Sequence, residues 1–208
     1  MSLDARRKGT DILGAHIDAI SWEESLTRIA NWALANESRY VCICNVHSVV
    51  TARRSPEFCN ILNEADLATP DGMPLAWCLR HSGFSQQPRI NGPDLFWKLC
   101  RYCARHGVAI FLYGGTDRTL ALLRSRIAEA LPELPLAGSY SPPFRELTKR
   151  EEQEIAARIS ASGARIVFVG LGCPKQEFWM ARHRGRLKAV LIGVGAAFDF
   201  HAGVLTRA

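Results

Sequence analysis

The stretch Arg165–Arg186, RIVFVGLGCPKQEFWMARHRGR, carries an apolar run into Gly170-Leu171-Gly172 and then sets down Lys175, Gln176 and Glu177. A lysine, an amide and a carboxylate at the mouth of a buried strand are costly unless something charged or polar binds there. The same placing recurs elsewhere. Asn45 and His47 follow the apolar YVCIC, Asp66 and Asp71 flank LATP, and Asp199 follows VLIGVGAAF. The stretch RINGPDLF adds Arg89, Gly92 and Asp94 ahead of a helical pattern, with Asp94 as an N-cap. Carboxylates beside an anion-binding edge suit general-base work next to a phosphate leaving group. Taken singly, each has a plainer reading as a cap, a turn former or a solvated charge. Asp71 in Pro70-Asp71-Gly72 is explicable by turn chemistry alone.

The elements that must position these groups follow from periodicity. Ile12–Ile20 alternates loosely, as a strand or hairpin, and Ser21 with Glu24 forms a capping box for a helix carrying Trp22, Leu26, Ile29 and Ala30. Tyr40–Asn45 is a short buried strand. The residues after it are helical with a break near Pro56, and a strand, the Pro-Asp-Gly turn and another helix follow. The second half repeats strand Val108–Gly115, helix Thr116–Leu131, a strand and loop in LPLAGSYSPPF and helix Thr148–Ala161. Strand ARIVFVGLG, a helix from about Pro174 and strand LKAVLIGVG complete it. This alternation predicts a single α/β domain, Rossmann-like, with a mostly parallel sheet and helices on both faces. Gly114-Gly115, Gly170/Gly172 and Gly193/Gly195 each follow a strand, so they fall at the carboxyl edge where ligands bind in open sheets. Glycine there lets backbone approach a ligand and helix N-termini favour phosphate; tightening of the turns is the alternative.

Bulk properties bound the rest. With 208 residues, 48% hydrophobic and 22% charged, the chain is long enough for one substantial core. A net charge of +6 favours anionic partners, or is simply a basic surface. The basic clusters Arg6–Lys8 and Arg182–Lys188 lack the interleaved aromatics of nucleic-acid platforms, so no nucleic-acid partner is expected. Seven cysteines and no apolar leader imply free thiols in a reducing cytoplasm. Cys100 and Cys103 lie in a helix interior without a second ligand pair. The longest apolar stretch, Ala189–Phe198, is too short to cross a bilayer, so membrane contact is peripheral. No P-loop or GxSxG elbow occurs, and GVGAAF departs from the dinucleotide fingerprint and lies too near the C-terminus for a ribose-binding acid to follow about twenty residues later.

Taken in order, ATPDGMPLAW, RINGPDLF, FLYGG, GSYSPPF, GLGCPKQEFWM and GVGAAFDFHAG resemble the successive motifs of one family. It is the bacterial N-acetylmannosaminyltransferase type of wall teichoic acid, enterobacterial common antigen and exopolysaccharide synthesis. The match runs from about Asp11 to Ala208. The resemblance implies an inverting glycosyltransferase that moves an N-acetylmannosamine-type or related hexose from UDP to a polyprenyl-pyrophosphate-linked saccharide. It implies a cytoplasmic protein, peripheral to the inner face of the plasma membrane, and a homo-oligomer. Its proposed base maps onto Asp71, its first-strand asparagine onto Asn45, and its PKQE glutamine onto Gln176, which is expected with Asp71 in the catalytic set, holding the sugar or its phosphate. Asp199 is then expected near ribose or base, and Tyr140 or Phe144 against uracil. His47, Arg89, Asp94, Gly114, Gly172, Lys175, Glu177 and Gly195 complete the expected substrate-binding set. A threonine usual in the family stands two residues before the asparagine, where this chain has Ile43. No Asp-x-Asp pair occurs, so the expected chemistry uses no divalent metal or other cofactor. Helix N-termini with Lys175 or an arginine carry the leaving-group charge instead. The family continues into a basic amphipathic tail where this sequence stops at HAGVLTRA, so a C-terminal membrane-docking tail is expected to be missing. A nucleotide-binding module without transferase activity is the alternative reading.

Overall fold

A computed structural model describes residues 7–206. Its centre is a six-stranded parallel sheet in the order β4-β3-β8-β7-β5-β6, where β3 is Arg39–Cys44, β4 Leu67–Pro70, β5 Ile110–Gly114, β6 Leu136–Tyr140, β7 Ile166–Gly170 and β8 Val190–Gly193. The central strands β7 and β8 are apolar and buried almost throughout, because helices cover both faces. An antiparallel hairpin of β1 (Gly9–Ile12) and β2 (Ala15–Asp18) lies outside this sheet, tucking Ala15 and Ile17 into the core.

One layer holds α1 (Trp22–Leu34), α5 (Gly92–His106), α6 (Asp117–Ala130) and α9 (Ala197–Ala202), which pack through Ile29, Leu95, Phe96, Leu123 and Phe198. Phe96 meets Phe168 of β7 edge-on with ring centroids 4.6 Å apart. The other layer holds α2 (Val46–Arg54), α3 (Pro56–Asn63), α4 (Met73–His81), α7 (Lys149–Ala161) and α8 (Lys175–His183), with Val49, Phe58, Leu75, Ile159 and Trp179 facing the sheet. The expected α/β class, parallel sheet and two helical faces are all present.

The chain order locates the crevice. From β5 the chain moves outward through α6 to the edge strand β6, and from β7 it moves inward through α8 to β8. These crossovers lie on opposite faces, so the chain leaves the adjacent ends of β5 and β7 in opposite directions, a topological switch point.

Local chemistry departs from the sequence expectation in three places. Ser21 Oγ accepts from Glu24 N at 3.1 Å, but the Glu24 carboxylate pairs with Arg28 at 2.6 Å instead of completing the box. Reciprocal boxes form at Asn45/Ser48 and Thr148/Glu151. The cap of α5 is Asn91, whose Oδ1 accepts from Asp94 N at 2.9 Å, so Asp94 sits inside the first turn and is not the cap. The residues after Gly195, read as a turn, contain the short helix α9.

Gly114 and Gly170 bring the ends of β5 and β7 together. Gly114 has φ +115°, and a Cβ there would lie 2.4 Å from the Gly170 carbonyl oxygen. Gly172, at φ +78°, has open space around it. We predict that Gly114→Ala costs about 3 kcal/mol or more, because backbone must move. Gly172→Ala should cost only the left-handed penalty of about 1–2 kcal/mol. Thermal melts of the two variants check this, and equal losses would refute the close-approach argument.

Candidate active site

The rim begins at β4. Parallel pairing sets Cys44 beside Pro70, and Asp71 N continues the ladder by donating to Cys44 O at 2.6 Å. Asp71 therefore stands at the strand end in front of Gly72, which takes φ +95° as the N-cap of α4. Ile90 N donates to Pro70 O at 2.8 Å, pinning the incoming loop against β4 and delivering Arg89 to the carboxylate. Arg89 Nε and Nη2 both lie 3.0 Å from Asp71 Oδ1. The Asp71 side chain is 19% exposed and Arg89 46%, so solvent reaches the pair and the guanidinium can swing aside. Asn45 caps α2 beside them through Ser48 N at 3.1 Å, and both Asn45 and His47 are exposed at the rim. Ile43, which stands where the resemblance expects threonine, is buried in the core of the α5 layer.

Gln176 and Glu177 occupy the middle of the rim and are buried, at 4% and 1% exposure. Gln176 Oε1 accepts from Gly195 N at 3.0 Å, and Gln176 Nε2 donates to Glu177 Oε1 at 2.9 Å. The amide fits because Gly193 has no side chain, since a Cβ there would sit 3.0 Å from Gln176 Nε2 and 2.8 Å from Met180 Cε. Both functional ends of Gln176 are thus occupied within the protein. Glu177 faces inward, toward the thiols of Cys44 and Cys173. Burial pushes its carboxyl up to about 7, the Gln176 hydrogen bond opposing the rise, and its Oε2 has no partner.

Beyond the switch point lies a cavity of about 580 Å³ between the α7 and α8 ends. Gly115, Thr116, Gly170 and Leu171 form its rim side, Tyr113, Phe178 and Trp179 an aromatic wall, and Arg145, Lys175 and Arg182 a charged one that also holds Glu146 and Glu152, with Arg145 paired to Glu151 at 2.6 Å and Arg182 to Glu152 at 3.0 Å. Phe144 is fully exposed on the loop over it, with Lys175 Nζ 5.1 Å from its ring centroid. Ser141 Oγ donates to Gly115 O at 2.7 Å and ties this loop to the rim. Trp179 Nε1 is buried without a partner.

The remaining expected residues take other places. Tyr140 lies between Tyr113, whose ring is near-parallel at 6.4 Å, and the Arg158 guanidinium at 5.2 Å, outside the cavity lining. Asp199 accepts from Thr119 Oγ1 at 2.9 Å, linking α9 to the first turn of α6 within the helical layer opposite α8. Asp94 accepts from Asn91 Nδ2 at 2.6 Å. Gly114 closes onto Gly170, while Gly172 and Gly195 hold positive φ in the two turns beside Gln176.

Asp71, Arg89 and Asn45 therefore converge. Gln176 joins the turns carrying Gly172 and Gly195, and Lys175 reaches the cavity. Sequence reading missed Arg182, Trp179 and Tyr113 as lining groups. Lys175, Trp179 and Arg182 stand at i, i+4 and i+7, so one face of α8 was a findable signal. Arg145, in a loop without period, left none. Among the described residues no group of three or more His, Cys, Asp or Glu is placed to hold a metal ion.

A parallel sheet with a glycine-lined carboxyl rim, a carboxylate at one end and an aromatic, charge-lined cavity at the other is an open α/β protein with its candidate site at the carboxyl edge. Residues 10–208 match the Glycosyl transferase WecG/TagA/CpsF family, and the chain belongs to it. It is 30% identical over 174 residues to the N-acetylglucosaminyldiphosphoundecaprenol N-acetyl-beta-D-mannosaminyltransferase of Bacillus spizizenii. The alignment covers 83% of this chain and 66% of that relative, just under two thirds of its length.

Glu177 makes stability depend on pH. Its native carboxyl binds a proton more tightly than the ordinary 4.5 of the unfolded chain. The stabilising contribution is complete below that value and is lost as pH rises through about 7. The loss amounts to about 3 kcal/mol for a shift of this size. We predict that the melting temperature of Glu177→Gln gains on wild type between pH 5 and pH 8; a constant difference would show that this carboxyl is not held protonated.

Proposed function

We propose that this chain is an inverting glycosyltransferase that uses a UDP-sugar donor and a polyprenyl-pyrophosphate-linked saccharide acceptor. The transferred sugar is an N-acetylmannosamine-type or related hexose, and the work is done at the inner membrane face in cell-surface polysaccharide synthesis. Among the described residues no helix is long and apolar enough to cross a membrane, and the proposed contact is peripheral. The observation that carries the reading is the placing of Asp71 and the aromatic, charge-lined cavity on one rim. From β4 to β7 is three strand spacings, roughly 14 Å, a span suited to an extended nucleotide sugar.

In this reading uridine enters the cavity, the diphosphate crosses the glycine rim and the sugar lies before Asp71. Asp71 takes the proton of the acceptor hydroxyl as that oxygen attacks C1 from the face opposite UDP. The bond from C1 to the phosphate oxygen breaks, UDP leaves with the electron pair, and the configuration at C1 inverts. Arg89, already on the carboxylate, aims it and exchanges its partner when the acceptor arrives. Lys175 meets the charge that grows on the departing diphosphate without a bound metal, joined by Arg145 and Arg182 as they exchange Glu151 and Glu152 for phosphate.

We predict that Asp71→Asn lowers transfer by about 10²–10⁴-fold, the usual worth of a general base, while UDP still raises the melting temperature. Transfer by this variant at the wild-type rate would overturn the base assignment. UDP should stabilise the protein where NAD and ATP do not, and Arg182→Ala should diminish that protection. Equal protection by all three nucleotides would sink the donor assignment.

A further inference from the structure

The buried end of α8 has an arrangement that the transfer chemistry leaves unused. Gln176 can satisfy Gly195 only in one orientation of its amide, with Oε1 toward Gly195 N at 3.0 Å and Nε2 toward Glu177 Oε1 at 2.9 Å. A half-turn of the amide would set its NH2 against the Gly195 N–H, donor to donor. It would also set its carbonyl against Glu177, which is repulsive when the carboxylate is ionised and attractive when Glu177 carries a proton to donate. The choice therefore lies with Glu177. No cation is paired with it among the described residues, and β7 and β8 bring no titratable side chain to it. From β3 Cys42 and Cys44 face it, and from the β7 turn Cys173 hydrogen-bonds to it, all three thiols held protonated by burial; α3 packs on α8 through Phe58 and Phe178 with Glu57 exposed.

The polar chain continues toward the base. Cys173 Sγ lies 3.8 Å from Ser48 Oγ, which donates to Asn45 Oδ1 at 3.3 Å at the rim. Glu177 thus sits where the β3, β7 and β8 turns meet.

We propose that Glu177 is a positioning residue: as a carboxylate it locks the Gln176 amide onto Gly195 and so holds the β7 and β8 turns in register for a diphosphate, and on protonation it releases them. This rests on the donor reading above. The buried carboxyl titrates near neutral pH, at about 7, so the lock closes within the range where enzymes work.

Two measurements test it. The first is independent of any ligand: the amide resonance of Gly195, followed by NMR from pH 5.5 to 8.5. In wild type it should titrate with a midpoint near 7; in Glu177→Gln, which keeps an acceptor but has no proton to exchange, it should be flat. A flat wild-type resonance, or one that titrates equally in the variant, overturns the proposal. The second is UDP affinity by calorimetry over the same range. Wild type should lose up to about tenfold relative to Glu177→Gln between pH 8 and pH 6, for each unit by which UDP shifts this titration. The ratio cancels the ligand's own phosphate titration. Glu177→Ala should bind weakly at every pH. A titrating Gly195 with a constant affinity ratio also overturns the proposal. If UDP binds to no form at any pH, the donor reading fails, and the Gly195 titration alone decides whether the lock exists.

Discussion

The rim keeps its shape because one side-chain amide lies across the end of β8. Gln176 fills the space that a side chain at Gly193 would take, receives the Gly195 N–H and gives its own NH2 to Glu177. A buried amide has to satisfy both ends or cost free energy. This one does so by joining two turns that carry the backbone groups facing a ligand. The turns need positive φ at Gly172 and Gly195, which open the backbone without placing a side chain in the way.

Around that centre the charges are sorted by depth. Glu177 is buried among thiols and an amide, with its charge disfavoured by desolvation. Asp71 is at the surface of the same rim with a guanidinium on one oxygen. The loop pinned through Ile90 and Pro70 holds Arg89 against it and leaves both open to solvent. At the far end, Arg145, Lys175 and Arg182 stand beside an aromatic wall, with Arg145 and Arg182 held by Glu151 and Glu152.

The family match and the geometry bear on different residues. The resemblance placed Tyr140 or Phe144 on the nucleobase; in the structure Tyr140 is covered by Tyr113 and Arg158, while Phe144 stands over the cavity. Asp199, expected near ribose, is engaged by Thr119 behind the rim. Ile43, where the resemblance expects a threonine, fills the core of the α5 layer. Glu177, grouped with substrate contacts because it follows Gln176, turns inward because consecutive helix residues lie about 100° apart.

By itself the sequence determined the alternation of strands and helices, the parallel sheet and the glycine turns at its carboxyl edge, because apolar period and turn chemistry are local properties. It also placed Asp71, Arg89 and Asn45 at strand or helix ends, and motif order placed Gln176 in a functional turn. Only the tertiary structure decided the strand order, and with it the switch point between β5 and β7. Only there do Arg145, Lys175 and Arg182, from separate turns and helices, become neighbours, and only there is the Gln176 amide spent on Gly195 rather than on a ligand. The fold's geometry also settled that Asn91 and not Asp94 caps α5, and that the Glu24 carboxylate accepts from Arg28 and not from the Ser21 N–H. Pairings across the sheet depend on which strands lie side by side, and no spacing along one chain encodes that directly.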